Sequence, residues 1–304
     1  MPRYATIDVG SNSVLLLIAE KTPAGNWHFL EERSEISRLG ENLQNTSNLK
    51  PEAMERTIAV LSEYVKIAHN YKVEQIVAAG TMALRSAQNS TDFIDKAVKE
   101  CGLEVEIIPG TEEARLSFLA VQKGLHIQTE QILVFDVGGG STEFILGDNE
   151  SITDKISLNI GAIRLTENIL TSNPVTIHEL LRASVAIERD LEDWIPPKGA
   201  TTYAGIGGTI TTITAVAQKM VAYDSTKIQG MVLQHQEIIR QIEMYQAKTL
   251  AERQEIAGLS PKRADIILAG ALIVHAILHK VKAREVMVSA QGLRHGILYD
   301  RFGN

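Results

Sequence analysis

Residues Ile132-Leu133-Val134-Phe135-Asp136-Val137-Gly138-Gly139-Gly140-Ser141-Thr142-Glu143-Phe144-Ile145-Leu146 carry two apolar, strand-like runs around a polar, glycine-rich turn. A carboxylate, Asp136, ends the first run, and another, Glu143, opens the second. Three consecutive glycines let backbone N–H groups crowd together and approach an anion, because no Cβ stands in the way. Two carboxylates can hold a hard cation such as magnesium beside that anion. Phosphate plus metal is the chemistry this stretch suggests. A hairpin with two acids bonded to their own turn accounts for it equally well when it is taken alone.

The pattern recurs upstream. Asp8-Val9-Gly10-Ser11-Asn12-Ser13 matches Asp136-Val137-Gly138-Gly139-Gly140-Ser141 as Asp-Val-Gly-x-x-Ser, at an offset of 136 − 8 = 128 residues. At the same offset Gly80-Thr81 maps onto Gly208-Thr209, and each pair ends an apolar strand and starts a helix. Two motifs at one spacing argue for duplicated halves. A third correspondence fails, since Glu113 maps onto Gln241.

Outward from these turns, strands and helices alternate in both halves, which makes the class α/β. The first half reads as strands at Thr6–Glu20 (broken by the turn) and Trp27–Glu32, then a polar loop or lid from Glu31 to Leu49. Pro51 opens a helix to about Tyr71, with Met54, Ile58, Leu61, Val65 and Ala68 on one stripe. A strand, two helices and a further strand lead to Leu125. In the second half, Ile177 to Trp194 is a helix broken by Pro196-Pro197, and a strand runs from Thr201 to Ile206. Ala222 to Gly230 is a polar loop, and Pro261 to Lys280 is one helix capped by Ser260. The domains are therefore 1–124 and 125–304, with the last helix able to pack back on the first.

At 304 residues, 44% hydrophobic and 22% charged, the chain has the composition of a globular protein of about two domains. A net charge of −7 with no basic run argues against nucleic acid as a partner. The single cysteine, Cys101, forms no internal disulfide, and the N-terminus shows no signal-peptide core, so the expected compartment is cytoplasmic. The longest apolar candidate, Ala264 to Val281, is interrupted by Asp265, His275, His279 and Lys280, so no membrane span is expected. His275 and His279 have ligand spacing, but no partner in the sequence completes a metal site.

Neither a Walker phosphate loop nor a dinucleotide fingerprint is present. Instead, four glycine/hydroxyl turns end strands, around Gly10, Gly80, Gly138 and Gly208, where ligands collect in open α/β sheets. Glu113 stands in Thr111-Glu112-Glu113-Ala114-Arg115 at a helix start. It is either a first-turn acid favoured by the helix dipole or a general base for phosphate hydrolysis. Arg85 follows Gly80-Thr81 by one helical turn and can pair with phosphate through its planar fork.

Taken together, Ile7-Asp8-Val9-Gly10-Ser11-Asn12-Ser13, Gly80-Thr81-Met82-Ala83-Leu84-Arg85, Glu112-Glu113-Ala114-Arg115, Asp136 to Glu143, Gly205-Ile206-Gly207-Gly208-Thr209 and Ser289-Ala290-Gln291-Gly292-Leu293-Arg294 resemble the exopolyphosphatase/guanosine pentaphosphate phosphatase family. The match spans almost the whole chain, in order. It implies two ribonuclease-H-like domains of the actin-like ATPase superfamily with an interdomain cleft. It implies that Glu113 activates water, and that Asp136 and Glu143, with Asp8, position magnesium or another divalent cation. It also implies phosphate binding by Ser11, Asn12, Ser13, Arg85, Gly138, Gly139, Gly140, Ser141, Gly207, Gly208 and Thr209. The expected substrate is inorganic polyphosphate or guanosine pentaphosphate, and a homodimer is an expected assembly. Longer relatives carry extra C-terminal helical domains. The sequence ends at Asn304, which leaves open the functions those domains support, such as gripping long polyphosphate. A sugar-kinase-type phosphotransferase and a silent binding regulator are the rival readings. The first lacks an evident acceptor pocket, and the second is at odds with a complete set of carboxylates.

Overall fold

Asp8 and Asp136 each stand near the end of the central strand of a mixed sheet. The computed structural model describes residues 1–125, 127, 131–148, 151–192, 194–196 and 202–303. Pro197 and Thr201, read above as part of a helix break and a strand start, lie outside them. By internal packing the chain divides into two units, Met1–Ala120 with Leu293–Asn304, and Val121–Gly292.

The first unit contains β1 (Arg3–Val9), β2 (Ser13–Lys21), β3 (Trp27–Ile36), α1 (Leu43–Thr46), α2 (Pro51–Asn70), β4 (Gln75–Gly80), α3 (Met82–Ser86), α4 (Ser90–Cys101), β5 (Val105–Ile107) and the first turns of α5 (Gly110–Leu125). Its sheet runs β3-β2-β1-β4-β5, antiparallel between the first three strands and parallel from β1 onward. Ala5, Ile7 and Val9 are fully buried in β1, as suits a central strand covered on both faces. Proline opens α2, and the helix packs Ala53, Ile58, Leu61, Tyr64 and Ala68 inward. The C-terminal helix, Leu293–Phe302, belongs to this unit. A Cβ on its Gly296 would collide with the carbonyl of Leu116, so this helix lies backbone-close to α5.

The second unit contains β6 (Ile132–Val137), β7 (Thr142–Gly147), β8 (Ile152–Leu158), α6 (Ala162–Asn168), α7 (Ile177–Asp190), β9 (Thr202–Ile206), α8 (Gly207–Ala217), α9 (Ser225–Ile228), β10 (Val232–Gln234), α10 (His235–Gln246), α11 (Leu250–Gln254), α12 (Ile267–Lys280) and β11 (Glu285–Val288). Its sheet runs β10-β11-β9-β6-β7-β8. Read from β8, the order β8-β7-β6-β9-β11 repeats that of the first unit strand for strand, with the same antiparallel and parallel pairings. β10 is an added antiparallel edge. The chain is thus two α/β units of ribonuclease-H-like topology, the actin-like fold. From Ile267 to Val274 helix α12 is apolar on every side, and that whole stretch is buried. Phe144 stacks on Trp194 with ring centroids 3.9 Å apart, which carries the chain beyond α7 into the core.

Several expectations are corrected. β3 continues through Arg33 to Ile36, because β2 is long enough to pair it throughout, so the first part of the expected loop or lid, Glu31–Ile36, is strand. Its remainder is tied down: Ser37 and Arg38 N–H donate to the Asn12 carbonyl, and Gly40 N–H to that of Ser11. The expected helix from Pro261 is a 3₁₀ turn, Pro261–Arg263, followed by α12 from Ile267, and Ser260 makes no side-chain cap. The polar loop at 222–230 holds the short helix α9, capped by Asp224. The expected helix to Trp194 ends at Asp190. The sheet ladders also revise the repeat. Val9 lies opposite Gly80, whereas Asp136 lies opposite Ile206, so the position equivalent to Gly80 is Gly207, at 207 − 80 = 127 residues. His275 bonds His235, Nδ1 to Nε2 at 2.8 Å, and among the described residues no three His, Cys, Asp or Glu groups are placed to hold a metal.

Candidate active site

In the first unit the site is built where β1, β4 and the start of α5 end together. Gly10 N–H closes the β1–β2 turn on the Ser13 carbonyl at 3.0 Å. The Ser11 carbonyl is held by Gly40, so the N–H of the same trans peptide, on Asn12, points the opposite way. Asn12 Nδ2 donates to Ser13 Oγ at 3.3 Å. Glu113 and Arg85 form an ion pair, Nη1 to Oε2 at 2.6 Å. Burial pushes the Glu113 carboxyl up, and the charge of Arg85 opposes this. Arg294, from the C-terminal helix, is buried and donates to the carbonyls of Leu16 at 2.9 Å and Arg33 at 3.0 Å, and it pairs with Glu32.

Asp8 Oδ1 is buried without a hydrogen-bond partner. Burial pushes the Asp8 carboxyl up to about 7, the charge of Glu113 adding and that of Arg294 opposing. An orphaned carboxylate oxygen of this kind is what a cation or a phosphate-bound water would satisfy. It also sets a stability prediction. The folded pKa lies above the ordinary 3.8, so between these values the folded state keeps a proton that the unfolded chain releases. Stability therefore falls as pH rises from about 4 to 7 and stays reduced above that. Asp8→Asn should raise the metal-free melting temperature at pH 8, by up to roughly 4 kcal/mol of stability, and change it little at pH 4. Melts at the two pH values check this, and equal shifts at both would refute it.

In the second unit, Gly138 N–H closes its turn on the Ser141 carbonyl at 2.9 Å, as Gly10 does in the first. The Gly138 and Gly139 carbonyls accept from Ala162 and Ile163 N–H, at the start of α6. In trans peptides this turns the N–H groups of Gly139 and Gly140 to the other side, as an anion cradle requires. Asp136 and Glu143 are direct partners across the β6–β7 ladder, so both carboxylates project from one face. Glu143 is 9% exposed, and its Oε1 accepts from Ser141 Oγ at 2.6 Å and Ser157 Oγ at 2.8 Å. Two acids directly opposite repel unless a cation joins them. Oxygen donors in this arrangement suit magnesium, which takes one or two carboxylates and keeps several waters.

Gly207 is the first residue of α8 and has φ of 82°. A Cβ there would collide with Asp136 Oδ1, so the aspartate lies directly against the helix start. Early N–H groups of a helix have no partners within it and attract anions. A Cβ on Gly208 would meet the Arg263 guanidinium, which therefore covers the same helix end. Burial pulls the Arg263 pKa down, with Tyr223, Asp136 and Asp265 opposing. Sequence reasoning missed Arg263, because it was read as part of one continuous helix. The signal available was an Arg-x-Asp pair opening an otherwise apolar run. Ser157 was missed too, since only the β7–β8 register brings it to Glu143. Two expected phosphate binders have other bonds. The Thr209 hydroxyl donates to the Val137 carbonyl at 2.7 Å, and that of Ser141 to Glu143. What they can still offer an anion is backbone N–H.

The family model for the Ppx/GppA phosphatase family matches residues 17–304. The chain is 32% identical over 309 residues to exopolyphosphatase 2 of Mycobacterium tuberculosis, covering 98% of this chain and 97% of that protein. It is 38% identical over 287 residues to a bifunctional 3-dehydroquinate synthase/phosphatase of Fusobacterium nucleatum, covering 90% of this chain but only 43% of that protein. The crystal structure of the Aquifex aeolicus Ppx/GppA family member superposes with a TM-score of 0.84 at 35% identity, covering 99% of this chain and 97% of that one. An exopolyphosphatase structure from Cytophaga hutchinsonii superposes with a TM-score of 0.86 at 29% identity, over 98% and 97% of the two chains. With the turns, paired acids and strand order above, these matches make the chain a member of the Ppx/GppA phosphatase family.

Proposed function

We propose that the chain hydrolyses phosphoanhydrides, releasing the terminal phosphate of inorganic polyphosphate or the 5′-γ-phosphate of guanosine pentaphosphate. The observation that carries this is the Asp136 carboxylate set against the start of α8, opposite Glu143 and beside Arg263. One small region thus offers a cation site and an anion site together. Relatives that bear exopolyphosphatase names support the choice of polyphosphate.

In this reading Asp136 and Glu143, partners across the β6–β7 ladder, hold magnesium. When bound, the metal would neutralise charge on the phosphate oxygens. The N–H groups of the Gly139–Gly140 turn and of α8 receive phosphate oxygens, as does Arg263. In the first unit the N–H of Asn12 and the guanidinium of Arg85 do the same. Glu113 accepts a proton from the attacking water. Burial favours this, because it holds the carboxylate at a basicity above that of an ordinary glutamate. No helix among the described residues is long and apolar enough to cross a membrane. With a single cysteine, we assign the activity to the cytoplasm.

The test is phosphate release with magnesium, comparing polyphosphates of several lengths with guanosine pentaphosphate. Release from neither, with calorimetric binding of both, would replace this reading with a binding regulator. Transfer to a sugar or acid acceptor without free phosphate would replace it with a kinase.

A further inference from the structure

Arg85 occupies the last turn of α3, and Glu113 the first turn of α5. Arg85 Nη1 donates to the Ile108 carbonyl at 3.0 Å and to Glu113 Oε2 at 2.6 Å. Both bonds use one nitrogen, which carries two hydrogens. Among the described residues, Nε and Nη2 donate to nothing. Nη2 lies over Gly110, 3.6 Å from where a Cβ would stand. The two side chains are 23% and 18% exposed, and the bond to Ile108 ties the guanidinium to backbone. This differs from a surface ion pair, whose partners drift with solvent. One edge of a rigid, five-donor fork is occupied and fixed, while the other faces no protein acceptor.

We propose that Arg85 is a positioning residue that spans base and phosphate, Nη1 holding Glu113 while the Nε–Nη2 edge takes an oxygen of the terminal phosphate. The inference rests on the reading of Glu113 as the base. The bridge fixes the carboxylate at a set distance from the phosphorus, where the attacking water must stand. In the step itself the water oxygen bonds to phosphorus and its proton passes to Glu113. The bond from phosphorus to the bridging oxygen breaks, and the shortened substrate leaves with that oxygen and its electron pair. Glu113 then returns the proton to solvent or to the departing phosphate.

A lysine keeps the positive charge but is a single point of donation, so it cannot hold both partners. Arg85→Lys should therefore keep KM close to wild type while lowering kcat about 100-fold, the effect of a misplaced reacting group. Arg85→Met removes the charge as well. The charged groups facing Glu113 are Arg85 from α3 and Asp8 from β1; Arg115, in its own helix, is engaged with Glu112 and Asp300. With Arg85 gone, nothing opposes the burial of Glu113. The acid limb of the kcat/KM profile should then move to higher pH. Wild-type kcat with a raised KM in Arg85→Lys would make Arg85 a phosphate binder only and overturn the bridge. An unmoved acid limb in Arg85→Met would do the same. If Arg85→Met does not fold, the kcat-against-KM split of Arg85→Lys decides the matter alone. Glu113→Gln tells the two ideas apart: retained turnover there removes the base itself, whereas a dead Glu113→Gln beside an unaltered kcat in Arg85→Lys removes only the bridge.

Discussion

Glu113→Gln should lower phosphate release by about a thousandfold or more, within the range that a positioned general base supplies. Glutamine has the same length and keeps an oxygen where Arg85 Nη1 now donates, so the local packing has no reason to change. What it loses is the ability to accept a proton. Substrate binding should survive, since removing a negative charge near a polyanion cannot weaken attraction to it. Folding should be unaffected or slightly improved, because burial disfavours the Glu113 charge. Steady-state phosphate release, calorimetric binding of polyphosphate and a thermal melt together check the prediction. Turnover within a factor of ten of wild type, with a normal melt, would show that water is activated by another group.

The second large effect belongs to the paired acids. Glu143→Gln keeps an acceptor for the hydroxyls of Ser141 and Ser157 but removes one charge opposite Asp136. Activity at moderate magnesium should fall about 100-fold or more, because charge neutralisation at the phosphate is the main task in phosphoryl transfer. The magnesium concentration for half-maximal activity should rise at least about tenfold, the loss of one charged ligand interaction. In metal-free buffer the variant should melt no lower than wild type, since like charges facing across a ladder are relieved. Magnesium titrations of activity and melts in chelator check both halves of this. A variant with unchanged magnesium dependence would mean that Glu143 serves only to order its two serines.

Much of this site was legible as a list of residues. Asp8, Asp136, Glu113, Arg85 and the glycine turns stand out because their chemistry is local: an acid at a strand end, a turn without Cβ atoms, a helix start. The duplicated halves were legible too, from the Asp-Val-Gly-x-x-Ser match, and the structure closes both turns alike, Gly10 on Ser13 and Gly138 on Ser141. The one-residue shift between Gly80 and Gly207 was not, because ladder register depends on how whole strands settle against one another. Arg263 escaped for a related reason. Its segment has helical periodicity, but it forms a separate 3₁₀ turn, α12 begins only at Ile267, and the guanidinium lies over Gly208.

The sequence by itself determined the class of fold, the positions of the two Asp-Val-Gly turns and the inventory of acids, because these depend on residue type and on spacings of a few residues. Tertiary structure alone decided which groups meet. It set Asp136 opposite Glu143 and added Ser157, engaged the Thr209 hydroxyl elsewhere, left Asp8 Oδ1 buried and unbonded, and joined Arg85 to Glu113. Those contacts join residues up to 72 positions apart in the chain, and their geometry follows from strand register and helix packing, which no local pattern encodes.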